Sequence, residues 1–410
     1  MFLSTIVILS SLVSSNNFQN QFQVAYSQHH QTPLLNDSHY TSKNEISNTL
    51  MEQFKEIVFN QTVLSRNSPS DSGAVVSNLS ISTPIVVGIV SPDGTQISGY
   101  GNISNFNSTK VDGNTVFDIA SISKTFVAII LADTVNQGLV NLTDPMDKYL
   151  PVDRVVVPSY NGHKITLEHL ATHTSGLPDF PAGWIRNQSY TTQQVYDFVS
   201  NATLSSKPGI KASYSDIGMG ILGHILSLRA GVSFDQLVKD RILNVLAMDS
   251  TGMRINSSGI SVPEDIKSRY AKGHIAGKEV NLEFIPQTIQ SAGAMYSTAN
   301  DLLKYLSANI GLIQTKLKDS IQETHLIRHS FGQSSDNKSL KDYIGLGWTI
   351  TTDFGKEVIW HKGSIDGYTS IIGFNPSKQI GLVILCGCNY DYFSSQEMIN
   401  LVIPFLFYYG

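Results

Sequence analysis

Ser121 and Lys124 stand three residues apart in F-D-I-A-S-I-S-K-T-F, and every residue from Phe126 to Ala132 behind them is apolar. An apolar run of that kind predicts a helix buried nearly all round, with Ser121 and Lys124 on one face of its first turn. The unpaired N–H groups of a first turn favour developing negative charge. A lysine at the mouth of an apolar helix is partly desolvated, which makes it a usable base. Together these groups can turn a serine hydroxyl into a nucleophile. S-x-x-K alone is a short pattern. It recurs at Ser335 to Lys338 in a polar run with no apolar helix behind it, so the chemistry rests on partners elsewhere in the chain.

Two later stretches offer partners. Pro208-Gly209-Ile210-Lys211-Ala212-Ser213-Tyr214-Ser215-Asp216 begins with a turn signal and ends on a tyrosine among short polar residues. Beside an ammonium, the Tyr214 phenolate is favoured and its pKa is expected to fall, so that it can act as a base. Trp360-His361-Lys362-Gly363-Ser364 ends a strand candidate. A substrate can pair along such an edge, and a backbone N–H there can join that of Ser121 in an oxyanion hole. A rival reading lies in E-H-L-A-T-H, where His169 and His173 have the i, i+4 spacing of zinc ligands. The metalloprotease pattern needs a glutamate after the first histidine, where Leu170 stands. Structural, hydrogen-bonded histidines are therefore expected, and no metal. Neither G-x-S-x-G nor G-x-x-x-x-G-K-[ST] occurs. A serine enzyme without cofactors, a zinc peptidase and a non-catalytic binding protein remain the alternatives from the residues themselves.

The elements that must bring these groups together can be read from periodicity. Ile85 to Val90 and Gln96 to Tyr100 flank Pro92-Asp93-Gly94 and predict a hairpin. Thr166 to Thr174 reads as a short capped helix, and Tyr190 to Asn201, Gly218 to Ala230 and Ser233 to Leu246 as further helices. Glu357 to Trp360, Thr369 to Phe374 and Ile380 to Cys388 are β-rich, and Glu397 to Tyr409 is an apolar helix candidate bent at Pro404. Strands at both ends with helices between predict an α+β chain. We expect an antiparallel sheet of about five strands formed from both chain ends and flanked by helices (45–138 and 291–410), with a mainly helical inserted subdomain (139–290). Glu45 to Val63 adds helical spacing ahead of the first hairpin.

The chain has 410 residues, net charge -5 and only 15% charged residues. No Lys/Arg-rich run occurs, so nucleic acid is not an expected partner. Residues 1–27 contain an apolar stretch that fits a signal peptide or anchor, and 28–44 fit a flexible linker. Ten N-x-S/T sequons, from Asn36 to Asn337, suit an exported glycoprotein. The expectation is a secreted or cell-surface monomer acting on a small-molecule or peptide substrate, with a membrane tether through the N-terminus as an alternative to cleavage. Cys386 and Cys388 read as small buried hydrophobes rather than a redox pair.

Taken in order, these segments resemble the serine β-lactamase and penicillin-binding-protein-like family, its class C branch. F-D-I-A-S-I-S-K-T-F is similar to that family's nucleophile segment. I-T-L-E-H-L-A-T-H-T-S-G-L-P, V-L-A-M-D-S-T, S-A-G-A-M-Y-S-T-A-N-D-L, G-L-G-W and W-H-K-G resemble further family segments. The resemblance implies the β-lactamase/DD-peptidase fold and an acyl-enzyme acting on amides or esters: D-amino-acid peptides, β-lactams or small esters. It implies that Ser121 is acylated, that Lys124 and Tyr214 share base work, and that Ser121 and Ser364 supply the oxyanion N–H groups. His361 and Gly363 would line the substrate strand. Two positions depart from the pattern. Asp216 stands where the family usually has Asn, placing a carboxylate where an amide would meet substrate. His361 stands where antibiotic-hydrolysing members have Lys.

Overall fold

The computed structural model describes residues 83–180, 182–186, 188–256, 259–275, 277–333, 340–388 and 395–408, all within the unit Phe54–Gly410. The expected signal segment and linker, the helix expected at Glu45 to Val63 and the second S-x-x-K match lie outside them.

The hairpin forms as expected. Strands β1 (Ile85–Ser91) and β2 (Gly94–Tyr100) pair in register from Ser91↔Gly94 to Ile85↔Tyr100, and Gly94 supplies a φ of 122° at the turn. A short strand, β3 (Val116–Asp118), leads into helix α1 (Ser123–Asn136). Every residue of α1 from Ser123 to Ala132 is buried, as its all-round apolar sequence demands. Each fully buried Ile, Leu or Phe contributes on the order of 1.5–3 kcal/mol, so α1 is the anchor of the fold. Helices α2 (Leu167–Ala171) and α3 (Asp216–Ala230) follow. Thr166 closes a capping box on His169 ahead of α2, and Ser215 caps α3 through Gly218 N.

Strand β4 (Gly252–Met253) pairs with β5 (Met295–Thr298), which also pairs with β3. Helix α4 (Ala299–Ile310) runs directly out of β5. The main sheet is completed by β6 (His329–Gln333), β7 (Lys341–Ile344), β8 (Thr349–Asp353), β9 (Lys356–Ile365), β10 (Tyr368–Asn375) and β11 (Ile380–Cys386), before helix α5 (Ser395–Tyr408).

The main sheet is antiparallel, in the order β6-β7-β8-β9-β10-β11-β1-β2. Among the described residues it has eight strands rather than about five, because β6 to β8 extend it beyond the readable β-rich segments. A Cβ added at Gly381 would meet Ile310 and Leu306 of α4, whereas one at Gly373 would meet Leu406 of α5. Gly381 faces Phe374 across β10, next to Gly373. Neighbours on a strand point to opposite faces, so α4 and α5 cover the two faces of the sheet. Helix α5 continues through Pro404. Cys386 and Cys388 are buried as expected, but they are bonded to one another. Alternate residues of an extended chain point the same way, which brings the two sulfurs together.

Candidate active site

The sheet and α1 meet at the serine. Ser121 lies on a 3-10 turn, Ala120–Ile122, immediately ahead of α1 rather than within its first α-helical turn. Ala120 adopts φ 47°, a left-handed conformation that costs a non-glycine residue on the order of 1 kcal/mol or more. It is held there at both ends. Its N–H donates to Asp118 Oδ1 at 3.2 Å, and its carbonyl accepts from Ser123 Oγ at 2.6 Å.

Lys124, one residue into α1, has no exposed side-chain surface. Its Nζ donates to Ser121 Oγ at 3.0 Å and to the Ala292 carbonyl at 2.6 Å, and it pairs with Asp216 Oδ1 at 2.5 Å. Tyr214 Oη donates to Ser121 Oγ at 2.6 Å. The Tyr214 ring lies 5.0 Å from the Lys124 ammonium and stacks on His173 at 4.6 Å. Serine, lysine and tyrosine, 93 residues apart at the extreme, thus converge on one oxygen.

Tyr214 corrects one expectation. Desolvation and, next, the Asp216 carboxylate push its pKa well above the usual tyrosine range. The nearby ammonium does not lower it, because Lys124 is already matched by Asp216. Asp216 opens α3, where its backbone N–H donates to Asp179 Oδ1 at 2.9 Å. Burial and then the charge of Asp216 raise the Asp179 carboxyl.

The third stretch forms the inner half of β9. Strand β8 accompanies β9 only as far as Trp360, so from His361 onward β9 has β10 on one side and the serine turn beside it. Contact is close: a Cβ on Gly363 would lie 2.2 Å from the Ile119 carbonyl. Ser364 is exposed and lines the same open cleft as Ser121, Asp216 and Gly293. His361 is buried, and its Nδ1 lies 2.7 Å from the Lys362 carbonyl. Burial, then the charge of Lys124, brings its pKa down to about 3, so the imidazole is neutral at physiological pH.

His169 and His173 do not share a helix face. Helix α2 ends at Ala171, and His173 lies beyond it with φ 55°. His169 Nδ1 accepts from Thr166 N at 3.2 Å, and His173 Nδ1 accepts from Ser215 N at 3.2 Å. Each is a hydrogen-bonded structural histidine. Among the described residues no group of three or more His, Cys, Asp or Glu side chains could hold a metal ion.

The sequence reasoning missed several neighbours of the serine. The Ala292 carbonyl is a backbone group, invisible to residue type. Asp179 directly follows L-P at the end of a recognised segment, which was its only signal. Phe180, Trp184, Arg186 and Glu283 line the cleft from loops that carry no periodic pattern.

Known proteins share this arrangement of elements. The Beta-lactamase family model matches residues 75–402. A beta-lactamase from Escherichia coli (strain K12) is 27% identical over 325 residues, 71% of this chain and 80% of that protein. The D-alanyl-D-alanine-carboxypeptidase/endopeptidase AmpH of the same strain is 29% identical over 314 residues, 72% of this chain and 77% of that protein. In fold, the chain is similar to a beta-lactamase/D-alanine carboxypeptidase from Yersinia pestis, solved with citrate. The TM-score is 0.70 at 24% identity, over 88% of this chain and 99% of that one. With four-fifths of its length inside the family match, this chain belongs to the beta-lactamase family of serine hydrolases.

Proposed function

We propose that Ser121 is the acylated nucleophile of this hydrolase, with Lys124 and Tyr214 sharing the proton transfers. The observation that supports this most directly is the meeting of Lys124 Nζ, at 3.0 Å, and Tyr214 Oη, at 2.6 Å, on Ser121 Oγ. Attack of Oγ on a carbonyl carbon passes the hydroxyl proton to the Lys124–Tyr214 pair, which reacts in its singly deprotonated form. The tetrahedral oxyanion is met by the N–H groups of Ser121 and Ser364. Collapse expels the leaving group, which takes a proton from the Tyr214 hydroxyl. Water then hydrolyses the acyl-enzyme, and Ser121 recovers its proton. His361 and Gly363 line the substrate strand, and Asp216 holds Lys124 in place.

The substrate is a small-molecule or peptide acyl donor: a D-amino-acid peptide, a β-lactam or a small ester. The names of the relatives support the first two. We place the protein outside the cytoplasm as a monomer, with the N-terminal apolar segment as signal or tether. The sequon residues Asn107, Asn141 and Asn201 are exposed, which suits glycosylation, and a disulfide between Cys386 and Cys388 suits an oxidising compartment.

Intact-protein mass spectrometry tests the nucleophile. A fluorophosphonate should add one label to the wild-type chain and none to Ser121→Ala. Labelling or full ester turnover by a folded Ser121→Ala protein would reject the assignment and leave a binding role for the cleft.

A further inference from the structure

One side of the cleft at Ser121 is apolar and braced. Phe180, Trp184 and Ile185 form it, with Trp184 stacked on Phe180 at 5.5 Å and on Tyr190 at 4.4 Å. Ile285 and Ile289 add to the apolar lining. The charges are arranged differently. Arg186 is the sole cation among the described residues lining the cleft, and its guanidinium lies over the Phe180 ring, 3.8 Å from Glu283. Beneath the cleft, Lys124 is bound to Asp216 at 2.5 Å. Each of these cations therefore already has a carboxylate, and Asp179 stands behind Asp216. A substrate carboxylate entering here would lose its hydration without gaining an unmatched cation, whereas an apolar arm would gain the burial of its surface.

We infer that the cleft selects acyl donors without a carboxylate, namely neutral esters or amides carrying an apolar arm. This rests on Ser121 being the acylated residue and narrows its substrate. The neutral state of His361, at the inner end of the same strand, agrees with it: its imidazole offers no charge to an anion. The bond made is Ser121 Oγ to the acyl carbon. The bond broken is that carbon to the ester oxygen or amide nitrogen, which leaves protonated.

Two matched pairs test the inference on the full chain. One is p-nitrophenyl hexanoate against the mono-p-nitrophenyl ester of adipic acid, which differ by a terminal carboxylate. The other is a penicillin against its methyl ester, followed as acyl-enzyme by mass. The neutral member should have at least a tenfold higher kcat/KM or acylation rate in each pair. Glu283→Gln, which frees Arg186, should narrow that ratio several-fold. Equal or faster reaction of the carboxylated members would overturn the inference, as would an unchanged ratio in the variant. Fluorophosphonate labelling of Ser121 with no reaction of either neutral compound would also overturn it, leaving the nucleophile assignment intact. A folded chain that the fluorophosphonate does not label removes both.

Discussion

Arg254 Nε and Asp118 Oδ2 lie 2.5 Å apart, with neither side chain exposed, directly behind the turn that presents Ser121. Asp118 ends β3 and accepts the Ala120 N–H. Arg254 follows β4, and its Nη1 donates to the Glu283 carbonyl on the cleft wall. Its backbone N–H donates to Ala294 O at 3.0 Å, next to the loop whose Ala292 carbonyl binds Lys124. One ion pair therefore ties the serine turn to the wall opposite it.

Removing one partner leaves the other charge buried and alone. Asp118→Asn should destabilise the fold by about 3–5 kcal/mol, read by urea denaturation. The double variant Asp118→Leu/Arg254→Met removes both charges and should recover most of that loss. Its fluorophosphonate labelling should nonetheless be slower than wild type, because the Ala120 N–H has lost its acceptor and the strained turn its clamp. Labelling at the wild-type rate in the folded double variant would reduce the pair to a purely structural role.

What could be read from sequence follows the range of the interactions. Helix α1 was legible because burial on every side leaves an apolar run with no polar stripe. The hairpin was legible from Pro92-Asp93-Gly94, and the α2 cap from Thr166. Those signals are local. Strands β6 to β8 were not read, since Thr349–Asp353 and Lys341–Ile344 mix polar with apolar residues and are held by their neighbours in the sheet. At the site, residue types pointed to Ser121, Lys124 and Tyr214. Charge balance did not emerge, because the raised pKa of Tyr214 depends on Asp216 lying beside it in space.

That dependence can be measured. Asp216→Asn removes the carboxylate that, after burial, most raises the Tyr214 pKa. The phenol should then ionise at lower pH, and the ascending limb of the kcat/KM–pH profile of a neutral ester should move toward acid. Coincident profiles for the two proteins would separate Tyr214 from the proton transfer.

Gly363 tests how closely β9 must approach the serine. An added methyl would meet the Ile119 carbonyl at 2.2 Å and Ser370 Oγ at 2.5 Å. The strand and the turn would have to part by about an ångström, and misplacement on that scale costs roughly 100-fold in rate. Gly363→Ala should therefore lose kcat far more than it loses melting temperature. A variant with near-wild-type kcat would show that Ser364 and Ser121 need not be so closely held.

Acid should unfold the protein through its buried and half-buried histidines. His325 and His361 each have their pKa brought down to about 3 by burial, and burial lowers His173 in the same direction. In the unfolded chain these groups titrate near 6.5. Between about pH 6.5 and 3 the unfolded state thus binds protons that the fold refuses, so stability rises with pH across that window. It is fully present above 6.5 and lost as pH falls toward 3, by on the order of a few kcal/mol per histidine. His325 isolates the effect, because it lies away from the serine, against Trp348 and Phe374, with Nε2 3.0 Å from Asn309 Oδ1. His325→Phe keeps a ring in that position and removes the titrating group. It should lose some stability at pH 7 through the unpaired Asn309, yet its urea midpoint should fall less between pH 7 and 4 than that of the wild type. Parallel pH dependence in the two proteins would mean that His325 takes up its proton without unfolding.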